Sequence, residues 1–376
     1  MVIAVNTRFL TKGRLEGYGY FIQETVLRLA TQHPEHRFYF LFDRPVDACF
    51  SFPENVTPLV VGPPARHPVL WKWWYDVKLP PVLKKIRADV FLSPDGFCSL
   101  TTRVPQCLVV HDLGFLHYGQ GYKKSHLFYY KRYTPMFLKK AKSIATVSHF
   151  SKNDIVRTYQ TPVEKISVVY NGVKDVFQPL PYEAQAAVKE TYTEGKEYFI
   201  YVGAIHPRKN LVHLLKAFSF FKKRQKSNMK LVLAGRLAWK NDAFLELLKT
   251  YKYRNDVVLL HYVEEETELA QLVASAYAMV YPSLFEGFGV PVVEAMRCGV
   301  PVLTSKGSAM EEITEGAALY FDPANMSDIA EQLMLIYKDE RLRAQLIEQG
   351  TTVAQQYTWQ ATSAALWDCI NRAVTA

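Results

Sequence analysis

No Cys-x-x-Cys pair and no Cys/His cluster of zinc spacing occurs in the chain. The five cysteines (Cys49, Cys98, Cys107, Cys298 and Cys369) are odd in number and widely spaced, which argues against a disulfide scaffold and suits a reducing compartment. No window approaches the ~20 consecutive apolar residues of a spanning helix. The opening segment Met1–Asn6 lacks a basic region leading into an apolar one, so a cytoplasmic chain is expected, neither exported nor threaded through a bilayer. Acidic residues are missing from Leu113 to Asn153, where Lys123, Lys124, Lys131, Arg132, Lys139, Lys140, Lys142 and Lys152 all occur.

What is present is the balance of a folded protein, 49% hydrophobic and 22% charged. At 376 residues one core is not expected, because single cores stop growing at about 250–300 residues. The net charge of +9 is uneven: residues 1–175 hold 24 Lys+Arg against 13 Asp+Glu (+11), and the remainder 21 against 23 (−2). Two halves with different surfaces and different ligands are implied.

Short β-branched runs separated by helical lengths predict strands at 2–6, 38–42, 56–61, 90–92, 108–110, 144–147 and 166–170, then at 198–202, 231–234, 257–260, 279–281, 302–304 and 319–321. Apolar runs without alternation fit strands buried on both faces, so an α/β chain with two parallel sheets is expected. Two prolines in Gln178–Pro181 mark the joint, giving domains 1–178 and 179–376. Open parallel sheets bind ligands beyond the carboxyl ends of their strands, and two such sheets facing each other would share one cleft.

One stretch just past a predicted strand carries most of the chemistry. In Tyr281–Pro301, glycines 287 and 289 lead to Pro291, a residue favoured at the first position of a helix. The amides of Phe288, Gly289 and Val290 would then point outward from the start of a helix running to about Arg297 and closed by Gly299, a ready site for a diphosphate. Glu294, one turn inside, could accept from the vicinal hydroxyls of a ribose. Glu286 would reach the same place from the loop. Ordinary turn chemistry explains a lone Gly-x-Gly but not two carboxylates flanking it. A glycosidase-like acid and nucleophile pair would leave the anion-binding turn unexplained. Arg208 and Lys209 follow the strand 198–202 and open a helical pattern (Leu211, Leu214, Leu215, Phe218); cations there would neutralise a departing diphosphate.

In the first half, Arg14–Gly19 follows the first strand with glycines at 17 and 19. It lacks the third glycine of a dinucleotide fingerprint, so nicotinamide binding is not expected. His111-Asp112 ends the strand 108–110, and adjacent strand residues point to opposite sides, so one of the two should face the ligand. There is no Ser/His/Asp triad and no Asp-x-Asp after a strand, so chemistry without a metal or cofactor is expected. The basic segments mix with aromatics, Trp71 and Trp73–Tyr75 near Lys78, Lys84, Lys85 and Arg87, and Tyr122, Phe128–Tyr130, Tyr133 and Phe137 among the later lysines. Pro135 should break the helical segment that carries the latter. Such surfaces suit an anionic leaflet, and core packing of the aromatics with solvated lysines is the equally weighted alternative. No nucleic-acid-reading module accompanies them, so nucleic acid is not expected as a partner.

Glu286 and Glu294 form E-x7-E, and with Pro282-Ser283, Gly287-Phe288-Gly289, Pro291, Ala295-Met296 and Gly299-Val300-Pro301 the stretch resembles the donor-site signature of retaining GT-B glycosyltransferases of the GT4 family. Tyr201-Val202-Gly203 with Pro207–Leu211, Thr146-Val147-Ser148 with Phe150-Ser151-Lys152, and Tyr170–Val173 extend the resemblance over most of the chain. It implies a GT-B architecture of two Rossmann-like domains facing across a cleft, with a last helix (about 358–376) crossing back to the first. It also implies a donor site in the second domain: Arg208, Lys209 and the 288–290 amides on the diphosphate, Glu294 on the ribose, Glu286 on a sugar hydroxyl, and backbone near Val263 at the base. The glycine loop, Gly17 and Gly19, would approach the donor phosphates and the acceptor. His111 would meet a sugar hydroxyl or the acceptor. The family often has Arg directly after the glycine, where this chain has Ala204; Lys209 is therefore the better-founded cation. The resemblance implies transfer of a hexose from a nucleoside diphosphate sugar to a glycan or lipid-linked acceptor, with front-face geometry; the basic first half adds the option of a peripheral seat on the inner face of the plasma membrane. The Pro207–Leu211 variant resembles bacterial mannosyltransferases of polysaccharide assembly, which makes GDP-mannose the first candidate donor and UDP-hexoses the alternative. A nucleotide-sugar epimerase of the same build, or a non-catalytic sugar-nucleotide or lipid-binding protein, would share these features.

Overall fold

The computed structural model describes residues 1–11, 13, 17–237, 242–261, 263 and 265–375. The chain forms two units, Met1–Gly172 with Trp359–Ala376, and Val173–Thr358. Pro179 and Pro181 thus lie inside the second unit, just ahead of its helix Tyr182–Thr193.

The first unit is a seven-stranded sheet of β1 (Val2–Asn6), β2 (Arg37–Phe42), β3 (Val56–Val60), β4 (Val90–Ser93), β5 (Gln106–Val110), β6 (Ser143–Thr146) and β7 (Ile166–Val168), ordered 3-2-1-4-5-6-7. The second is a six-stranded sheet of β8 (Tyr198–Val202), β9 (Lys230–Ala234), β10 (Val257–Leu260), β11 (Ala278–Tyr281), β12 (Val302–Ser305) and β13 (Leu319–Phe321), ordered 10-9-8-11-12-13. Every strand pair is parallel. Every residue of β5, β8 and β9 is buried, because helices cover both faces and the apolar runs have no wet side to alternate with. Strand order reverses between β1 and β4 and between β8 and β11. These switch points are where open α/β sheets hold ligands.

The first sheet separates two cores. On one face Phe21, Ile22, Val26 and Leu29 of the helix Gly17–Gln32 pack with Leu366, Cys369 and Ile370 of the C-terminal helix Trp359–Thr375. That helix is fastened by Ser143 Oγ donating to the Cys369 carbonyl (2.7 Å) and Thr362 Oγ1 to that of Tyr170 (2.7 Å). On the other face lie Trp71, Trp74, Tyr75, Tyr129 and Phe137.

One expectation changes here, and one of two open alternatives for the basic region's aromatics is the one observed. The helix Lys124–Lys140 runs through Pro135 without breaking. The missing amide forfeits one bond to the Lys131 carbonyl, but Tyr129, Thr134, Phe137 and Leu138 are buried around it, and Lys165 Nζ donates to the Leu138 and Lys139 carbonyls at the helix end. Packing outweighs the lost bond. The aromatics of the basic region also go largely into the core; Phe128 is the outward one, 69% exposed, while Lys123, Lys124, Lys131, Arg132 and Lys139 are solvated. Among the described residues no helix is long and apolar enough to cross a membrane.

In the second unit the β8 and β9 ends approach closely. Gly203 N donates to the Ala234 carbonyl (2.9 Å), and a Cβ on Gly235 would sit 2.0 Å from the Gly203 carbonyl oxygen. Gly235→Ala is therefore expected to cost the second unit about 1–3 kcal/mol through overpacking against backbone. A lowered urea midpoint in circular dichroism would bear this out, and an unchanged one would contradict the close approach.

Candidate active site

At the β8/β11 switch point two segments meet. After β8 the chain passes Gly203 (φ 141°), forms a 3₁₀ turn over Pro207–Lys209, and takes the left-handed conformation at Asn210 (φ 62°) before the helix Leu211–Gln225. Asn210 Nδ2 pins this turn by donating to the Pro323 carbonyl (2.7 Å). The segment after β11 bonds to it through Leu284 N, which donates to the Arg208 carbonyl (2.9 Å).

Glu286 ties the two together. Lys209 Nζ lies 2.5 Å from Oε1 and Arg208 Nη1 3.3 Å from Oε2; Ser283 Oγ also donates to Oε1. Lys209 Nζ further donates to the Tyr281 hydroxyl (2.7 Å), whose ring stacks on Tyr201 at 5.7 Å. Glu286 and Lys209 are both more than nine-tenths buried. Burial alone would raise the Glu286 pKa, but Arg208, Lys209 and the hydroxyl outweigh it and draw it down to about 2. Two cations thus share the Glu286 carboxylate. Burial and the same two cations lower the His206 pKa to about 4, so its imidazole is neutral at neutral pH.

The helix Val290–Arg297 starts next to this cluster, with Gly289 (φ 106°) as N-cap, Pro291 in its first turn and no side-chain cap. Its first amides are thus offered to a ligand rather than to a capping side chain. Gly289 is required twice over, since a Cβ there would meet Met310 Cγ at 3.0 Å in a left-handed conformation. Phe288 packs edge-on against Tyr357 (5.6 Å), so its ring is engaged in packing. Glu294 occupies the second turn, half-buried, with no described residue hydrogen-bonding its carboxyl. Burial pushes its pKa up to about 8; Lys174 opposes and Glu266 adds, and Lys174 is itself paired with Glu266. Val263 lies three residues beyond β10, at the same edge of the sheet.

In the first unit, Arg14, Leu15 and Glu16 lie outside the described residues. Gly17 and Gly19 do not form a loop before a helix, as expected, but lie within the described helix Gly17–Gln32. This segment brings Tyr18 edge-on to His111 (4.7 Å), with Phe21 at 4.9 Å. His111 Nε2 lies 3.1 Å from the Pro94 carbonyl. Burial lowers the His111 pKa, and the Pro94 carbonyl and Asp112 resist this. Asp112 serves a local turn, accepting from Gly114 N (2.7 Å).

Several residues at these edges receive no role from the sequence: Tyr201 and Tyr281, although they stand in its motifs, His206 and, at the β1/β4 switch point, Arg8 with Asp95. Arg8 Nη2 and Asp95 Oδ2 are 2.7 Å apart and buried. Tyr75 donates to Asp95 (2.8 Å) and accepts from Asn6 Nδ2 (2.7 Å). The partners are 87 residues apart, and no local pattern links them.

Two Rossmann-like parallel-sheet units, each with its polar residues at the strand-order switch point, define a GT-B glycosyltransferase fold. Residues 17–176 match Glycosyltransferase Family 4, and residues 184–353 match Glycosyl transferases group 1. The chain belongs to this family. It is 30% identical over 251 residues to O-antigen chain mannosyltransferase B of Escherichia coli, a match covering 66% of each chain. It is 32% identical over 224 residues to O-antigen chain mannosyltransferase RfbU of Salmonella typhimurium, covering 58% of this chain and 57% of that one. The chain thus spans just under two thirds of the first relative's length and less of the second's. Sucrose-phosphate synthase from Thermosynechococcus elongatus superposes with a TM-score of 0.78 at 17% identity over 98% of both chains. Anabaena Alr3699/HepE in complex with UDP-glucose superposes at 0.75 and 16% over 99% of both. These two structures speak for the fold alone.

The two carboxylates predict opposite pH signatures. Glu286 ionises at lower pH in the folded than in the unfolded chain. Its contribution is therefore full above pH 4.5 and lost as pH falls toward 2, and Glu286→Gln should cost about 3 kcal/mol at neutral pH by stranding Lys209. Glu294 holds a proton in the folded chain that the unfolded chain releases, so stability declines from pH 4.5 to 8. Glu294→Gln should match the parent near pH 4.5 and exceed it progressively toward pH 8. Urea denaturation at several pH values tests both; a Glu294→Gln gain that shrinks with pH would contradict the assignment.

Proposed function

We propose that the chain is a retaining glycosyltransferase moving a hexose, mannose in the first instance, from a nucleoside diphosphate sugar to a glycan or lipid-linked acceptor of bacterial polysaccharide assembly. The observation that carries this reading is the placement of two cations, Arg208 and Lys209, in the turn after β8 beside the start of the helix Val290–Arg297, which has no side-chain cap. Backbone amides and fixed cations are what a developing diphosphate leaving group requires. GDP-mannose is the first donor to test, because two similar chains are O-antigen mannosyltransferases; UDP-hexoses are the alternative.

Lys209 and the amides of Gly289 and Val290 take the diphosphate in this reading, with Arg208 supporting Lys209. Glu294 accepts from the ribose hydroxyls and Glu286 from a sugar hydroxyl; Val263 lies at the base. The bond from C1 to the phosphate oxygen breaks as the acceptor oxygen bonds C1 on the same face, and the acceptor proton passes to the departing phosphate oxygen. A covalent intermediate on Glu286 is disfavoured because three donors already occupy a carboxylate whose pKa is drawn to about 2. His111 and the Gly17–Gly19 turn serve the acceptor and the donor phosphates. Amides and cations do this work without a metal ion, so turnover should survive a chelator. The +11 of residues 1–175 supports a peripheral seat on an anionic inner leaflet, where a lipid-linked acceptor would lie.

Nucleotide release should depend on acceptor, and Lys209→Ala should lower kcat by roughly 100-fold or more with the circular dichroism unchanged. Conversion of donor alone to a new nucleotide sugar would instead establish an epimerase. Binding of the ribose should also strip the proton from Glu294, so calorimetry at pH 7 in buffers of different ionisation enthalpy should register proton release. Uptake or no transfer would remove Glu294 from the ribose.

A further inference from the structure

Away from both switch points, the turn between the helix Gly17–Gln32 and β2 carries His33-Pro34-Glu35-His36. His33 Nδ1 and His36 Nε2 each lie 3.4 Å from Glu35 Oε1, and the three ligand atoms fall within 4.8 Å of one another. Zinc–ligand bonds of about 2.0–2.1 Å in a tetrahedron put neighbouring ligand atoms about 3.3–3.4 Å apart. Both His–Glu separations match that edge.

The turn is held in shape by its surroundings. Asn55 Nδ2 donates to the carbonyls of Ala30, His33 and His36 (2.9, 3.2 and 3.0 Å), which fixes the backbone under all three ligands. The His33 ring stacks on Trp367 of the C-terminal helix at 3.8 Å, with His36 at 5.2 Å from the same indole. The Met1 ammonium donates to His36 Nδ1 (3.1 Å), so the ring proton sits on Nε2 beside Glu35 and must be released for an ion to bind there, the amine then passing its own proton to Nδ1. The Glu35 side chain is 58% exposed, leaving the outward position open to water. His–Glu ion pairs at a surface contribute at most about 1 kcal/mol, too little to account for a turn pinned at this many points.

We propose that His33, Glu35 and His36 form a binding site for one divalent transition ion of the zinc class, with three protein ligands and an open fourth position. This is the one grouping of three such side chains among the described residues. An ion here would stiffen the turn ahead of β2 and, through the Trp367 stack, the seat of the C-terminal helix. It takes no part in the transfer reaction, and its failure would leave the donor site untouched.

The test uses the full chain without an affinity tag. Titration with Co2+ should produce the visible absorption of a four-coordinate ion at one equivalent, displaced by Zn2+, and Zn2+ should raise the melting midpoint. His33→Ala and His36→Ala should each weaken Co2+ binding by at least about tenfold, as much as outer-shell losses do, with unchanged far-ultraviolet circular dichroism; Glu35→Gln should weaken it less. Ni2+ should quench part of the tryptophan fluorescence, and Trp367→Phe should abolish that quenching while Co2+ still binds. Absence of the Co2+ spectrum, or equal binding by the two histidine variants and the parent, would overturn the proposal and leave ordinary surface ion pairs.

Discussion

The second unit's polar edge depends on one buried carboxylate. Glu286 would be untenable alone in an apolar setting, since stranding an ion there costs several kcal/mol. It is held by Lys209 and Arg208 from the turn after β8 and by Ser283 from its own segment. The same contacts draw together two loops that β9 and β10 separate in sequence, and they set the start of the helix Val290–Arg297 beside a fixed cation. In the proposed reading, the charges that stabilise this edge are also the ones that meet the donor.

Glu286 and Glu294 show how burial with and without partners divides two like residues. The first is surrounded by donors and stays ionised; the second has only burial and a distant, already paired Lys174, and keeps its proton into neutral pH. A permanently charged group suits an electrostatic scaffold. A group poised near pH 8 suits one whose charge state responds to a ligand's hydroxyls. The first unit has its own counterpart, the buried Arg8–Asp95 pair at the β1/β4 switch point, although there the charges cancel and aromatic rings (Trp74, Tyr75) flank the guanidinium at 5.0 Å.

The thirteen strands among the described residues are legible because parallel strands covered on both faces read as uninterrupted apolar runs. The anion-binding turn was legible because Gly289 and Pro291 have narrow conformational uses. Residues paired across the sheet were not. Lys209 and Glu286 are 77 apart; each could be placed at a strand end, but their contact follows from β8 lying next to β11, and nothing local encodes that order. Arg8 and Asp95 were missed for the same reason. Pro135 misled because local propensity favoured a break that burial of Tyr129 and Phe137 overrode. The Gly17–Gly19 segment, a loop by resemblance, is helical because Phe21, Ile22 and Val26 bury one face of the helix that contains it.

The central claim is that Lys209, balanced on Glu286, receives the diphosphate of a sugar nucleotide. The most direct measurement is a double-mutant cycle, calorimetric titration of nucleoside diphosphate into the parent, Lys209→Met, Glu286→Gln and the combined variant, each verified as folded. The account predicts that Lys209→Met weakens binding at least tenfold, that Glu286→Gln alone does not, and that the two substitutions are non-additive because the side chains are in direct contact. Undiminished affinity in Lys209→Met would contradict it.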